Sequence, residues 1–214
     1  MDVKLEKWHK CKVDIEVLKE LSKKSDLKGL QHISVFFGLL IITGLLAYIT
    51  WGTWWSVFWF LVYGNIYSFS NPLWHETGHK TAFKSKFLNE FFYYLSSFMA
   101  NFEPTRWRYS HFVHHGNTYS IENPFDHEIE YGNDLKETPK RLIINIIPFL
   151  DLVFIKKHIS FEIFQHAFGI KTKVMEDCIP ENAQAKAILN SRIYVVVWSL
   201  IALWSILVLS LIHI

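Results

Sequence analysis

Three long apolar stretches stand out when hydrophobic and polar positions are followed along the chain. They cover residues 33–50, 54–74 and 193–212, and none of them contains Asp, Glu, Lys or Arg. A helix of about 20 apolar residues crosses the hydrocarbon core of a bilayer, so each stretch is long enough to be a membrane span. Only residues 51–53 separate the first two stretches, which predicts a transmembrane hairpin. The pattern therefore predicts an all-α integral membrane protein with a hairpin and a third span.

Between the second and third spans, apolar residues recur at helical spacing. The repeating positions are Phe83, Phe87, Phe91, Leu95 and Phe98, widened by Leu88, Phe92 and Met99, while Lys84, Lys86, Asn89 and Glu90 fall largely on the other side. This stripe predicts an amphipathic helix that either lies on the membrane interface or packs on neighbouring helices. The acidic, turn-rich residues 121–139 are typical of a surface loop. Residues 142–155 are apolar but short, which favours a re-entrant or interfacial segment. Together these elements would form a helical cap.

Composition and charge favour a membrane protein and exclude a nucleic-acid binder. Hydrophobic residues make up 50% of the 214 residues and aromatic residues 17%, which is more apolar than a soluble domain of this size. The net charge of +2 provides no basic field for a nucleic acid. Cys11 and Cys178 lie far apart without CxxC spacing and are interpreted as reduced thiols.

The distribution of basic residues predicts the orientation in the membrane. Of the 22 Lys and Arg residues, eight lie in residues 1–28 and thirteen in residues 75–187. The positive-inside rule therefore places the N-terminus and the long central segment in the cytoplasm. The basic start is too long for a signal peptide, so we expect the first span to remain as an anchor of a multi-pass protein.

Two clusters of histidine carry the candidate chemistry. His75 and His79 are four residues apart at the end of the second apolar stretch, so their imidazoles share one face of a helix. Thirty-six residues after His75, His111 is followed by His114 and His115, a spacing that again collects imidazoles on one face. Imidazole is a good ligand for Fe, Zn, Cu and Ni. The two clusters therefore predict a metal site with these histidines as ligands.

The two clusters and the residues around them resemble a known family. HxxxH followed by HxxHH, in the contexts HETGHKTAFKSKFLNE and PTRWRYSHFVHHGNTY, is similar to the first and second histidine boxes of membrane fatty acid desaturases, the bacterial type in particular. These belong to the membrane fatty acid desaturase and hydroxylase superfamily. The resemblance implies oxygen-dependent desaturation of a fatty acyl chain of a membrane lipid by two Fe²⁺ ions. It further implies O₂ as co-substrate, an external electron donor such as a ferredoxin or a cytochrome b5, and box histidines that bind iron.

One part of the family pattern does not occur in these residues. Relatives have a third histidine box after a fourth membrane helix, whereas this sequence ends at Ile214, next to the end of its third span. His213 lies at the opposite side of the membrane from His75 in the predicted topology. Five imidazoles alone would leave a diiron centre under-ligated. The expectation is that residues 1–214 are the N-terminal part of a desaturase-like domain, or a shortened relative that is inactive alone.

Charged residues next to the boxes are candidates for supporting roles. Glu76 and Asp126 could orient a ligand imidazole through its other N–H, although both could be ordinary surface acids. His127, beside Asp126, is a candidate for a metal-related role, whereas the histidines at 9, 32, 158, 166 and 213 lack ligand spacing. Three basic residues could receive a phosphate headgroup or an acidic electron-donor protein, or mark the membrane interface. They are Lys80, Arg106 and Arg108.

Three alternatives to a desaturase remain open from the sequence. Hydroxylases of lipids, alkanes or carotenoids share the superfamily and its ligand logic, and the two boxes do not separate them from desaturases. HETGH is also a literal HExxH, in which Glu76 is the general base of an intramembrane zinc protease, but that leaves the histidines at 111–115 unexplained. A non-catalytic membrane protein that only binds metal needs no more than the imidazoles.

Overall fold

The computed structural model describes residues 13–117, 127–128 and 159–212, and within these ranges the regular structure is helical, with no strand. The helices are α1 (Ile15–Leu21), α2 (Asp26–Ile49), α3 (Trp54–Tyr67), α4 (Ser70–Gly78), α5 (Lys86–Met99), α6 (Pro104–Asn117), α7 (Ile159–Ala167), α8 (Lys173–Cys178) and α9 (Glu181–Ile212). The predicted all-α class is confirmed. Most of the loop predicted at 121–139, and all of the apolar segment at 142–155, lie outside the described residues.

Two of the described helices are long and apolar enough to cross a membrane, namely α2 and the part of α9 from Glu181 to Val208. They cover most of the first and third predicted spans, and each begins earlier than the apolar stretch, because polar residues extend the helix at its start. Ser25 caps α2 by accepting a hydrogen bond from the backbone N–H of Lys28. Many apolar side chains on both helices are exposed, among them Trp204 at 68%, as expected for surfaces that lipid covers.

Helices α2 and α3 pack together as the predicted hairpin. The turn between them uses Gly52 at φ 83°, a left-handed conformation that a glycine adopts without strain. Gly44 lets the two helices approach closely, because a Cβ at this position would lie 3.3 Å from the ring of Tyr63. The local spacing of apolar and turn residues was therefore enough to predict this part of the fold.

The second apolar stretch differs from the single helix predicted over residues 54–74. It forms α3, which ends at Tyr67, and α4, which begins at Ser70. Pro72 has no backbone N–H to donate to the carbonyl of Ser68, and its ring crowds that carbonyl, so the helix breaks there. Because α3 has 14 residues, it is shorter than a full span by itself. Because of this break, α4 is a helix separate from α3, and it carries the first histidine box.

Helix α5 buries only part of the predicted apolar stripe, Phe92 among it, and it also buries polar residues. Its buried residues are Asn89, Phe92, Tyr93, Ser96 and Ser97, whereas Phe87 and Phe91 of the predicted stripe are 73% and 52% exposed. The polar Asn89 is inside because its amide donates to the carbonyls of Phe83 and Ser85 and accepts from the N–H of Phe83. This closes the loop before the helix. Phe83 is fully buried, but it precedes the helix.

Buried Glu103 joins the start of α6 to α9. Its carboxylate accepts from the backbone N–H groups of Thr105 and Arg106, at 2.9 and 2.6 Å, and from the amide of Asn190 at 2.8 Å. Burial raises the pKa of Glu103 to about 7, although these hydrogen bonds act in the opposite direction. These hydrogen bonds hold α6, which carries the second histidine box, against α9.

Candidate metal centre

The last turns of α4 and α6 bring four of the five box histidines together. His75, His79, His111 and His115 each offer a ring nitrogen, and these nitrogens all lie within 4.8 Å of one another. The ring of His75 lies with its centroid 4.6 Å from those of both His79 and His111. Two segments 36 residues apart thus meet through imidazoles on facing helix ends. The predicted clusters therefore belong to one site.

The geometry of three of these rings fits a single metal ion. The Nε2 atoms of His79, His111 and His115 form a triangle with sides of 3.1, 3.3 and 3.0 Å. With metal–nitrogen bonds of about 2.1 Å, these separations correspond to nitrogen–metal–nitrogen angles of roughly 90° to 105°. Three Nε2 atoms this close cannot all be satisfied by hydrogen bonds to one another, because each Nε2 of a neutral ring carries either a proton or a lone pair and so cannot donate and accept at once. A central cation resolves this conflict.

The protonation of the rings also suits a cation. Burial lowers the pKa of His75 and of His115, and the neighbouring histidines lower both further. The neutral imidazole, which has the lone pair that a metal needs, is thereby favoured over the imidazolium.

Glu128 supports the cluster through His111. The Nδ1–H of His111 donates to one oxygen of the Glu128 carboxylate at 2.8 Å, and the hydroxyl of Ser110 donates to the other oxygen at 3.1 Å. The proton on Nδ1 leaves the Nε2 lone pair of His111 facing the cluster. A carboxylate behind a ligand imidazole fixes the ring and raises its basicity. From the sequence, this role was expected of Glu76 or Asp126, and Glu128 was missed.

His127 anchors the segment that carries Glu128. Its Nε2 lies 2.9 Å from a carboxylate oxygen of Asp177, on α8, and both side chains are largely buried. His127 is not one of the four clustered histidines, so the structure places it as a support of Glu128 and not beside the ring nitrogens. Asp126, the other acid predicted to orient a ligand, lies outside the described residues.

Glu76 is directed away from the ring nitrogens. Its carboxylate accepts a 2.6 Å hydrogen bond from the hydroxyl of Thr81, and it lines a groove next to α2. Consecutive helix residues point about 100° apart, so a residue next to His75 in the chain leaves the face that His75 and His79 share. Glu76 was predicted to orient a ligand ring, but among the described residues no hydrogen bond is seen between its carboxylate and a histidine of the cluster.

The basic residues near the boxes make contacts within the protein. Arg106 donates from Nε to Glu162 at 3.1 Å and is buried. Arg108 donates to Glu90 at 3.0 Å and lies over the ring of Tyr93, while Lys80 is 3.9 Å from Glu90. These ion pairs give the two arginines structural roles.

His114 lies next to the cluster but outside it. Its ring centroid is 5.8 Å from those of both His111 and His115. Around the helix axis, His115 is rotated from His111 by about 40°, whereas His114 is rotated by about 60° in the opposite direction. His114 therefore lies on an adjacent side of the helix. The HxxHH box therefore presents nitrogens in two directions.

Aromatic side chains form one wall of the cluster. Trp74 packs against His111 with ring centroids 5.1 Å apart, and against Trp107 and Phe102 at 5.7 and 5.0 Å. A mainly apolar cavity of about 360 Å³ opens beside the rings of His79 and His115. Its size lies within the range of small-molecule sites. The cluster thus places imidazole nitrogens beside a mainly apolar pocket.

Comparison with known proteins gives one match. A family model described as fatty acid desaturase matches residues 49–214, which is most of the chain and includes both histidine boxes. No curated protein and no solved structure matches.

Proposed function

Because the chain belongs to the fatty acid desaturase family, we propose that it takes part in the oxygen-dependent desaturation of a fatty acyl chain at a histidine-ligated diiron centre. The observation that carries the proposal is the meeting of His75 and His79 with His111 and His115. Two reduced irons with O₂ supply the power to remove hydrogens from an unactivated CH₂, which no side-chain acid or base can do. Electrons would come from an external donor such as a ferredoxin or a cytochrome b5.

The residues of this chain would hold the metal and orient it. His75, His79, His111 and His115 would be ligands of one iron, and the different direction of His114 suits a ligand of the second. Further ligands would complete the pair, as the family pattern of three histidine boxes implies. Glu128 would keep His111 in the tautomer that binds metal, and burial would keep the neighbouring rings neutral.

The surroundings of the rings suit an apolar substrate. The 360 Å³ cavity is lined by Trp74, Tyr93 and Phe112 together with the ligand histidines, so a methylene segment could lie beside the metal with water largely excluded. The apolar helices α2 and α9 would hold the protein in the membrane, with the boxes on the cytoplasmic side. An acyl chain of a bilayer lipid is the substrate that fits both features.

Two alternatives differ from this proposal in observable ways. A hydroxylase would use the same ligands and insert oxygen instead of removing two hydrogens. A zinc protease would need Glu76 beside the metal, whereas its carboxylate is bonded to Thr81 and the chain matches the desaturase family. The structure favours neither over a desaturase.

The test combines product analysis with metal analysis of the full-length protein. Mass spectrometry of lipids after expression with O₂ and a competent donor should show acyl chains lighter by two hydrogens. His79→Ala and His115→Ala should each lose bound iron and product, because each removes a ring nitrogen from the triangle. A gain of one oxygen would establish the hydroxylase. Unchanged lipids with a fully loaded iron centre would contradict the proposal, as would zinc in place of iron together with peptide cleavage.

A further inference from the structure

A second, larger recess lies on the side of α4 that faces α2. It is a groove of about 620 Å³ between α2 and the α3–α4 segment, separate in its lining from the cavity beside His79. Its floor is apolar, with Ile33, Phe36, Leu39, Ile66 and Phe69 among the residues that line it. Four of these residues belong to the hairpin helices α2 and α3, and Phe69 lies two residues after α3, so the floor lies along the part of the protein that the bilayer would surround.

The rim of the groove at the start of α2 is basic. Lys23, Lys24 and Lys28 line it, against one carboxylate, that of Glu76. Glu76 accepts a hydrogen bond from the Thr81 hydroxyl, which does not neutralise its charge. Lys24 donates to the backbone carbonyl of Lys80 at 2.8 Å, a contact that does not neutralise its charge. Three lysines against one carboxylate leave this end of the groove positively charged, and the rest is mainly apolar, with His32 and Thr81 as polar exceptions.

Three contacts hold this rim in place against the segment that follows His79. A Cβ at Gly29 would lie 2.6 Å from the Ala82 carbonyl and from the Phe83 ring, so only glycine allows this approach of α2. The carboxylate of Asp26 accepts from the backbone N–H of Ser85 at 2.8 Å. Together with the bond from Lys24 to the Lys80 carbonyl, these contacts form the groove in advance of any ligand. Pre-formation lowers the entropic cost of binding.

We propose that this groove binds one phospholipid with an anionic headgroup from the cytoplasmic leaflet. The phosphate would lie at Lys23, Lys24 and Lys28, and one acyl chain would lie along the floor between α2 and α3. Charge complementarity identifies the headgroup, and the apolar floor beside the bilayer identifies the chain. The volume is within the range of ligand sites. This site is distinct from the metal centre and does not require it.

The binding experiment uses the full-length protein in detergent, titrated with phosphatidylglycerol or phosphatidylcholine of the same acyl chains and read by native mass spectrometry. The protein should prefer phosphatidylglycerol. A basic residue near an anionic headgroup is worth roughly fivefold in affinity, so the variant with Lys23→Gln and Lys28→Gln should lose on the order of 25-fold for this lipid alone. This variant leaves the Lys24 contact intact.

The control variant carries Lys84→Gln and Lys86→Gln, which removes the same charge on the same side of the protein but outside the groove. It should bind phosphatidylglycerol as the unaltered protein does. Equal losses in both variants would show a general attraction to positive charge and would overturn the proposal. Circular dichroism and thermal unfolding of each variant show that its fold is retained.

The acyl chain is located by photocrosslinking with phosphatidylglycerol that carries a diazirine in one chain. Crosslinks should concentrate at Phe36, Leu39 and Phe69, and should be rare at Trp204, which is exposed to the bilayer on α9. Even labelling of both surfaces would overturn the proposal. Full competition by inorganic phosphate would instead indicate a site for a free anion. Neither readout needs iron or turnover, so failure here leaves the metal centre untouched, and loss of the metal centre leaves the groove testable.

Discussion

Replacing Glu128 tests whether a carboxylate outside the ligand set controls the affinity of the metal centre. Its two oxygens accept from His111 Nδ1 at 2.8 Å and from the Ser110 hydroxyl at 3.1 Å. Glu128→Gln keeps one acceptor oxygen and loses the charge. A hydrogen bond to a charged group contributes about 1 kcal/mol more than one between neutral groups, which corresponds to roughly fivefold in affinity. Glu128→Ala removes both hydrogen bonds. It should weaken Fe²⁺ binding by close to 100-fold, because losing a partner of this kind costs about 10- to 100-fold in metal affinity.

The assay is an Fe²⁺ titration of the full-length protein against a chromophoric chelator, which reports affinity without turnover. Glu76→Gln is the matched control, because this glutamate is next to His75 in the chain but bonds to Thr81. It should bind Fe²⁺ as the unaltered protein does. The reasoning is refuted if Glu128→Ala binds Fe²⁺ with unchanged affinity, or if Glu76→Gln weakens binding as much as Glu128→Ala does.

Contacts around the site and the charge pattern of the chain lead to three further predictions. Asp177→Asn should weaken Fe²⁺ binding severalfold, and should add little to Glu128→Ala in the double variant, because Asp177 acts on the metal through His127 and Glu128. Burial raises the pKa of Glu103 from 4.5 to about 7, so its stabilising contribution is complete below about pH 4.5 and is lost as the pH rises through 7. Thermal unfolding between pH 5 and 8 should therefore depend less on pH in Glu103→Gln than in the unaltered protein; an identical slope would contradict the shift. A cysteine introduced at the exposed Lys84 should react with an impermeant maleimide only from the cytoplasmic side, and labelling from outside alone would reverse the topology.

Local periodicity was sufficient for the parts of the fold that depend on neighbours in the chain. The hairpin of α2 and α3 follows from two apolar stretches and a turn with Gly52, and the pairing of His75 with His79 follows from helical spacing. Each of these features depends on residues a few positions apart. The same reasoning predicted that α5 is a helix, but it did not predict which of its side chains are buried.

The orientation of α5 depends on contacts that periodicity does not contain. The apolar pattern places Asn89 on the polar face, yet it is 2% exposed, because the loop before the helix offers it three hydrogen bonds. Phe87 and Phe91 are left outside as a consequence. A buried amide with all of its partners costs little, so hydrophobicity alone cannot decide which face of such a helix is inside.

Glu76 and Glu128 show why the carboxylate that supports a ligand is hard to find from sequence. Glu76 follows a predicted ligand directly, but helical geometry turns it away from the ring nitrogens and towards Thr81. Glu128 is 17 residues from His111 and bonds to it, while the adjacent His127 bonds to Asp177, 50 residues further along the chain. A supporting acid must approach the ring nitrogen opposite the metal. For a ligand on a helix, that nitrogen is reached from a neighbouring segment, so the supporting acid becomes identifiable only when tertiary contacts place that segment beside the helix.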